Sequence, residues 1–240
     1  MSNSPLDIAL YLVPTPLASG AGEVLPPFTK QVLRDVKHFV VENRRSAIRF
    51  LKSCAPDADI DAIDFRELSE HTAESQIPQL LLPVENGLPV ALMSEAGCPC
   101  MADPGAPLVK MAHERGIKVK PLAGSSSVIL ALMASGMNGQ NFAFSGYLPV
   151  KNRDLSNKLK KLEARAWKED QTQIFIEAPY RNLRTFAAVL ATCQSDTLLC
   201  VAADLTGRGE FVRTLPIYKW QKELAPAIDK VPTIFLLSHS

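Results

Sequence analysis

The fold class follows from the segment Val90-Ala-Leu-Met-Ser-Glu-Ala-Gly-Cys-Pro-Cys-Met-Ala-Asp-Pro-Gly105. An apolar run ends there at Ser94, a loop of small residues, glycines and prolines follows, and a helical pattern begins near Ala106. A strand, a loop and a helix in this order place backbone N–H groups at the carboxyl edge of a parallel sheet, where open α/β sheets bind nucleotide-like ligands. The loop is about twice as long as the usual two to six residues of such a connection. We therefore expect it to bind a ligand.

Short β-rich runs alternate with helical segments along the chain, as is typical of mostly parallel sheets covered by helices. Apolar content drops near residues 148–153, where a charged helical stretch begins. The pattern predicts an α/β protein of two unequal lobes, residues 1–148 and 149–240, with a cleft between them and sheets that need not be wholly parallel. The expected elements include strands at 8–13, 38–42, 65–68, 89–94, 117–122, 142–147, 173–177, 198–203 and 233–237, a hairpin near 207–209 and a helix near 215–224.

Composition narrows the class of protein. The chain has 26 Lys+Arg against 25 Asp+Glu, a net charge of +1, so a broad nucleic-acid-binding surface is not required, although a local basic patch stays open. Five scattered cysteines without a signal peptide indicate free thiols in a reducing cytoplasm. Cys98 and Cys100 have no second pair beside them, so no metal is expected. No apolar run approaches the roughly 18 residues of a membrane-spanning helix.

Small-residue loops follow the predicted strands at 14–20, 94–105 and 123–127. If these strands are neighbours, the loops meet at one edge of the sheet and suit an adenosyl-type cofactor held mainly by main-chain contacts. None of them matches G-x-x-x-x-G-K-[ST] or G-x-G-x-x-G, which argues against a P-loop and against ordinary dinucleotide binding. Gly124-Ser-Ser-Ser127 has a second interpretation, as a simple helix N-cap.

Two charged clusters also follow predicted strands. Glu42-Asn-Arg-Arg45 either binds substrate at the rim of a cleft or forms a solvated turn in which Glu42 pairs with an arginine. Glu177-Ala-Pro-Tyr-Arg-Asn182 has the same geometry in the second lobe. No Ser/His/Asp or Cys/His set indicates covalent catalysis, and no catalytic residue is assigned. Methyl transfer is compatible with this absence, because it runs on proximity and alignment with at most one base.

Several motifs occur in a fixed order over nearly the whole chain. They are Leu10-Tyr-Leu-Val-Pro-Thr-Pro-Leu17, Glu42-Asn-Arg-Arg45, Val90 to Gly105, Pro121-Leu-Ala-Gly-Ser-Ser-Ser127, Phe144-Ser-Gly-Tyr-Leu-Pro149, Phe175-Ile-Glu-Ala-Pro-Tyr-Arg181 and Ala203-Asp-Leu-Thr206.

In these motifs the chain resembles the tetrapyrrole methylase superfamily of S-adenosylmethionine-dependent methyltransferases. The likeness is strongest to the ribosomal RNA small subunit methyltransferase I branch, which methylates a cytidine ribose 2′-hydroxyl. The resemblance implies two α/β domains with the cofactor in the cleft between them, and commonly a homodimer. The chain departs from the branch at Pro16-Leu-Ala-Ser-Gly-Ala-Gly-Glu23, Asn43-Arg44 and Ser94-Glu95. These changes fall where the acceptor is expected to bind.

The same resemblance assigns candidate site residues by motif position. The acceptor side is expected at Glu42, Arg44, Tyr180 and Arg181. The S-adenosylmethionine site is expected at Pro14, Ser94, Glu95, Ala96, Gly97, Cys98, Met101, Gly124, Ser125, Ser126 and Ser127, with Glu177 and Ala203 approaching from the second lobe.

Three functions remain open at this point. The first is a cytoplasmic S-adenosylmethionine-dependent methyltransferase of ribosomal RNA, with the small ribosomal subunit as partner. The second keeps the methyl donor but takes a small tetrapyrrole-like acceptor, which the near-neutral charge favours because RNA affinity depends on Lys and Arg contacts to phosphate. The third is a non-catalytic cofactor-binding paralogue.

Overall fold

The structure is a computed structural model that describes residues 5–18 and 25–239. The chain divides into two compact units, Met1–Ser126 and Ser127–Ser240, which we call the first and second unit. Each unit has its own five-stranded sheet within the described residues. The two predicted α/β lobes are therefore present.

The boundary between the units differs from the prediction of residues 1–148 and 149–240. The strand at Phe142–Tyr147 pairs in parallel with the strand at Thr172–Ile176, so it belongs to the second sheet and not to the first. The drop in apolar content near residue 148 marks the start of a helix inside the second unit that has one buried face and one charged, exposed face. The units are consequently much closer in length than expected.

The first unit is built on a parallel sheet. Its strand order is β3-β2-β4-β1-β5, and every neighbouring pair is parallel. The central strands β4 and β1 are continuous apolar runs, as expected for parallel strands covered on both faces, whereas β5, in which polar and apolar residues alternate, lies at the edge. The strands are β1 (Leu10–Val13), β2 (His38–Val41), β3 (Asp64–Glu67), β4 (Val90–Met93) and β5 (Val119–Pro121).

Helices cover both faces of this sheet. The helices are α1 (Pro27–Asp35), α2 (Arg44–Cys54), α3 (Ile77–Leu80), α4 (Leu82–Glu85) and α5 (Ala106–Glu114), with 3₁₀ turns at Ile60–Ala62 and Glu74–Gln76. One core joins α1 and α2 to Tyr11 and Met93, and another joins α3, α4 and α5 to Leu10 and Leu92. After β1 the chain therefore passes to one face of the sheet, and after the adjacent strand β4 it passes to the opposite face. Such a switch point opens a crevice at the carboxyl ends of the strands.

The second unit has a mixed sheet of order β6-β7-β10-β8-β9. Strand β10 lies antiparallel between β7 and β8, and β8 and β9 form the predicted hairpin around residues 207–209. The strands β7 and β8 consequently run in the same direction, with their carboxyl ends on either side of the start of β10. The strands are β6 (Phe142–Tyr147), β7 (Thr172–Ile176), β8 (Leu198–Ala203), β9 (Phe211–Pro216) and β10 (Thr233–Ser238).

The helices of the second unit are α6 (Ser127–Ser135), α7 (Asn152–Glu169), α8 (Asn182–Thr192) and α9 (Ile217–Trp220), with a 3₁₀ turn at Pro179–Arg181. The helices α7, α8 and α9 pack on one face around Trp220 and the stacked rings of Phe175 and Phe235, whose centroids are 5.5 Å apart. Helix α6 packs against β8, β9 and β10.

The predicted helix at 215–224 is wrong at both ends. Leu215 lies in β9, opposite Leu199 of β8, and the helix spans just Ile217–Trp220. Pairing with β8 provides hydrogen-bond partners for the backbone N–H and C=O groups of residues 211–216. This tertiary contact overrides the local helical pattern. In the described part of the chain, no helix is both long and apolar enough to cross a membrane.

Candidate functional site

Three loops of the first unit meet at the carboxyl edge of its sheet. Pro14 follows β1 and Gly124 follows β5, and these strands are neighbours. The approach is so close that a Cβ atom on Gly124 would overlap Cβ and Cγ of the Pro14 ring. Glycine is required here because any side chain would push the two loops apart.

The loop after β4 joins the same cluster through its backbone. Thr15 and Gly97 exchange two main-chain hydrogen bonds, of 2.9 Å from the Thr15 nitrogen and 3.1 Å from the Gly97 nitrogen. The buried Ser94 hydroxyl donates to the Gly97 carbonyl at 2.9 Å, and the Cys98 thiol donates to the Ser125 carbonyl at 3.5 Å. The predicted meeting of the three loops is thereby confirmed.

The β4–α5 loop adopts unusual backbone conformations. Besides Gly97 at φ 78°, both Cys100 (φ 69°) and Ala102 (φ 57°) are left-handed, which is uncommon for residues with a side chain. The Asp103 carboxylate holds this shape by accepting hydrogen bonds from the backbone nitrogens of Cys100 (3.2 Å) and Gly105 (3.0 Å). Burial raises the pKa of the Asp103 carboxyl.

Burial disfavours the thiolate form of both cysteines in this loop. Burial raises the pKa of Cys98, and burial together with the Asp103 charge raises the pKa of Cys100 to about 11. Since the thiolate is the reactive and metal-binding form, the two residues contribute small neutral side chains to the loop.

A crevice of about 230 Å³, part of which is open solvent, lies beside the loops. The N-terminus of α2 forms one wall, where the Asn43 side chain caps the helix by accepting from the backbone nitrogens of Arg45 (2.9 Å) and Ser46 (3.1 Å). Across the crevice, the Ser46 hydroxyl donates to Glu95 Oε1 at 3.0 Å. The lining residues are Thr15, Val41, Glu42, Asn43, Ser46, Ala47, Phe50, Met93, Ser94 and Glu95.

Glu42 is the half-buried carboxylate of this crevice. Burial raises its pKa, and the negative charges of Asp103, Glu95 and Glu70 raise it further. Within residues 5–18 and 25–239 it forms no ion pair, so the interpretation of Glu42 as paired with an arginine is wrong. Arg44 instead turns to the Phe65 ring, with its guanidinium carbon 5.7 Å from the centroid.

The second charged cluster lies in the second unit, where its carboxylate is held by hydrogen bonds. The buried Glu177 carboxylate accepts hydrogen bonds from the backbone nitrogen of Ala178 (2.8 Å), the Thr185 hydroxyl (3.0 Å) and the Arg181 guanidinium. Arg181 also lies over the exposed ring of Tyr180, at 5.7 Å. These partners use both oxygens of Glu177, so this carboxylate is poorly suited to act as a free base.

The predicted cofactor residues thus fall into two groups. Ser127 begins α6, Glu177 follows β7 and Ala203 ends β8, all in the second unit. The other group clusters in the first unit, at the ends of β1, β4 and β5, and comprises Pro14, Ser94, Glu95, Ala96, Gly97, Cys98, Met101, Gly124, Ser125 and Ser126.

Three polar residues that line the crevice are not among the candidate site residues predicted from the sequence: Thr15, Asn43 and Ser46. Asn43 had a usable signal, because asparagine directly before an apolar helical pattern is a common N-cap. Thr15 and Ser46 had none, since their roles depend on which strands are neighbours.

Comparison with known proteins agrees with this geometry. The family model described as Tetrapyrrole (Corrin/Porphyrin) Methylases matches residues 9–220. The ribosomal RNA small subunit methyltransferase I of Escherichia coli O157:H7 is 31% identical over 217 residues, which cover 89% of this chain and 72% of that protein. The protein of the same name from Micromonospora olivasterospora is 35% identical over 197 residues, which cover 82% of this chain and 59% of that protein.

Solved structures show the same fold at low sequence identity. The methyltransferase CobJ superposes with a TM-score of 0.63 at 14% identity and covers 97% of this chain and 94% of its own. The cobalt precorrin-4 methyltransferase CbiF superposes with a TM-score of 0.59 at 12% identity, and the match covers 99% of this chain and 98% of that chain.

Proposed function

Because the chain belongs to the tetrapyrrole (corrin/porphyrin) methylase family, we propose that it transfers a methyl group from S-adenosylmethionine to a ribose 2′-hydroxyl of ribosomal RNA. The observation that carries this proposal is the meeting of three small-residue loops at the switch point of the first sheet. Relatives at 31–35% identity bear the ribosomal RNA methyltransferase name, whereas the structures named for tetrapyrrole substrates are 12–17% identical. The RNA acceptor is therefore favoured over a small tetrapyrrole-like one.

The loops fit an adenosyl-type cofactor. Ala123 and Gly124 are exposed, Ser125 and Ser126 are half-buried, and the absence of a side chain on Gly124 leaves its main chain accessible to a ligand. Ala96 and Met101 are also exposed, on the β4–α5 loop. We assign cofactor binding to the first-unit residues Pro14, Ser94, Glu95, Ala96, Gly97, Cys98, Met101, Gly124, Ser125 and Ser126. The contacts expected of Ser127, Glu177 and Ala203 remain part of the proposal.

The chemistry divides between the cofactor and the chain. When bound, S-adenosylmethionine would supply an electrophilic methyl group, and its sulfur would keep the electron pair of the carbon–sulfur bond that breaks. The acceptor hydroxyl loses its proton as its oxygen forms the new bond to carbon, and Glu42 takes that proton. A raised pKa suits Glu42 to this task, because it makes the carboxylate a better base. Arg44, Tyr180 and Arg181 are proposed to contact the acceptor.

The test has two stages. Isothermal titration calorimetry with S-adenosylmethionine and S-adenosylhomocysteine should show one site per chain with micromolar affinity. Transfer of tritiated methyl groups to undermethylated small ribosomal subunits should follow, and nuclease mapping should place the label on a ribose. Absence of binding heat and of any thermal shift would overturn the methyltransferase proposal. Binding with transfer to a porphyrin-type acceptor but not to the subunits would overturn the RNA assignment.

A dimer and a cytoplasmic location complete the proposal. Met133 on α6 is 74% exposed and Ile129, one helical turn earlier, is 41% exposed, which gives this helix an apolar outer face. We propose that this face contributes to a homodimer, and sedimentation of wild type against Met133→Asp tests it. A wild-type monomer contradicts it.

We also propose a cytoplasmic location. All five cysteines are free thiols, which supports a reducing compartment.

A further inference from the structure

Helix α7 carries a concentration of positive charge that the proposed site does not use. Its 18 residues contain six of the 26 Lys and Arg residues of the chain, although the whole chain has a net charge of just +1. The basic residues of α7 are Arg153, Lys158, Lys160, Lys161, Arg165 and Lys168.

Four of these residues lie along one face of the helix. Lys158, Lys161, Arg165 and Lys168 are spaced at intervals of three, four and three residues, which places them in a single row on an α-helix. We call this row the α7 basic stripe. At 1.5 Å per residue it is about 15 Å long.

The buried face of α7, which lies beside the stripe on the helix, keeps the stripe towards solvent. Leu155, Leu159, Leu162 and Ala166 are buried against the second sheet. Lys161, Arg165 and Lys168 are exposed, and Lys158 is half-buried. The stripe therefore cannot turn inward without removing this core.

The charges of the stripe are not neutralised within the described residues. None of its four side chains forms an ion pair there. The acidic side chain within the length of the stripe, Glu163, is buried and accepts hydrogen bonds from the Gln194 nitrogen and the Thr197 hydroxyl. Asp154 and Glu169 flank the row at the two ends of the helix. Like charges at these spacings repel one another, so an external anion would relieve the repulsion.

We propose that the α7 basic stripe binds the phosphate backbone of RNA. Lysine is depleted in the cores of protein–protein interfaces, which disfavours a protein partner for a row made mainly of lysines. A nucleic-acid strand offers anions repeated along a line, and lysine and arginine contacts to phosphate supply most of its sequence-independent affinity. The inference rests on the proposed function for the kind of polyanion, but direct binding tests it separately from methyl transfer.

The experiment compares Lys161→Gln/Arg165→Gln with a matched control, Lys219→Gln/Lys222→Gln. The control removes the same charge from exposed residues of the same unit, where both lysines lie near the Tyr218 ring. The probes are a fluorescein-labelled RNA hairpin, a labelled single strand of the same length and poly-glutamate. Fluorescence anisotropy is measured from low to high salt. Circular dichroism and S-adenosylmethionine titration show that each variant is folded.

The stripe variant should bind both RNAs on the order of tenfold more weakly at 0.1 M salt, and the slope of log K against log salt should fall by about 0.7–0.9 for each phosphate contact removed. The control should bind as wild type does. Equal binding by the stripe variant, an equal loss in the control, or binding of poly-glutamate without binding of RNA each overturns the inference. Wild-type protein that binds S-adenosylmethionine but neither RNA would also overturn the inference, while the methyl-donor site of the proposed function would stand.

Discussion

At the scale of single residues, Gly124 is the tightest point of the proposed cofactor site. Gly124→Ala forces the added carbon against the Pro14 ring, and overpacking of this kind costs about 1–3 kcal/mol. We expect S-adenosylmethionine affinity to fall about tenfold, the equivalent of about 1.4 kcal/mol. Gly139→Ala is the matched control, because nothing lies within 4 Å of its added carbon. Calorimetry that gives the same Kd for both variants and wild type would contradict the assignment.

As the proposed proton acceptor, Glu42 should make the methyl-transfer rate depend on pH. The active form is the carboxylate, and burial together with neighbouring acidic groups raises its pKa above the ordinary value of 4.5. Activity should therefore fall as pH decreases through this raised pKa, at a higher pH than an exposed glutamate would give. Glu42→Gln should lower kcat about 100-fold and abolish the acid limb.

The control for this experiment is Glu67→Gln, an exposed change at the end of β3. Its pH profile should match that of wild type. An unchanged acid limb in Glu42→Gln would show that another group accepts the proton.

At the scale of elements, the Glu177–Arg181 pair connects β7 to the 3₁₀ turn before α8. The exposed fractions of the two side chains are 2% and 15%. Arg181→Met leaves a buried carboxylate without its counter-charge, which typically costs about 3–5 kcal/mol. We expect urea unfolding to show a loss of this size.

The double variant Glu177→Gln/Arg181→Met should recover part of that stability, since it no longer buries an uncompensated charge. A double variant at least as unstable as Arg181→Met would refute this account of the pair.

The same scale shows which features of the fold and the site can be predicted from the sequence alone. The apolar runs of β1 and β4 predict buried parallel strands, and the small residues after them predict a ligand loop, because these are local signals. Leu215 was placed in a helix since its pairing with Leu199 is not visible in local periodicity. The crevice between Ser46 and Glu95 requires β4 to lie beside β2, a strand order that residue spacing does not encode.

At the scale of the whole molecule, bound S-adenosylmethionine should stabilise the fold. A ligand that binds the native chain at 100 times its Kd adds about 2.7 kcal/mol to the free energy of unfolding. For a protein of this size, each kcal/mol raises Tm by roughly 2–4 °C. Differential scanning fluorimetry should show a rise for wild type and Gly139→Ala at one ligand concentration, and a smaller one for Gly124→Ala. An identical rise in all three would place the ligand elsewhere.

The position of β10 sets the order in which the two sheets can be completed during synthesis. All strands of the first sheet precede residue 122, whereas β10, the central strand of the second sheet, is the last strand to leave the ribosome. Until it emerges, β7 and β8 each present an open edge on the side where β10 will pair, and open strand edges are sites of aggregation. The nascent chain therefore passes through a stage in which a complete first unit is joined to a second unit that is still open to aggregation. At this stage a ribosome-bound chaperone would matter most.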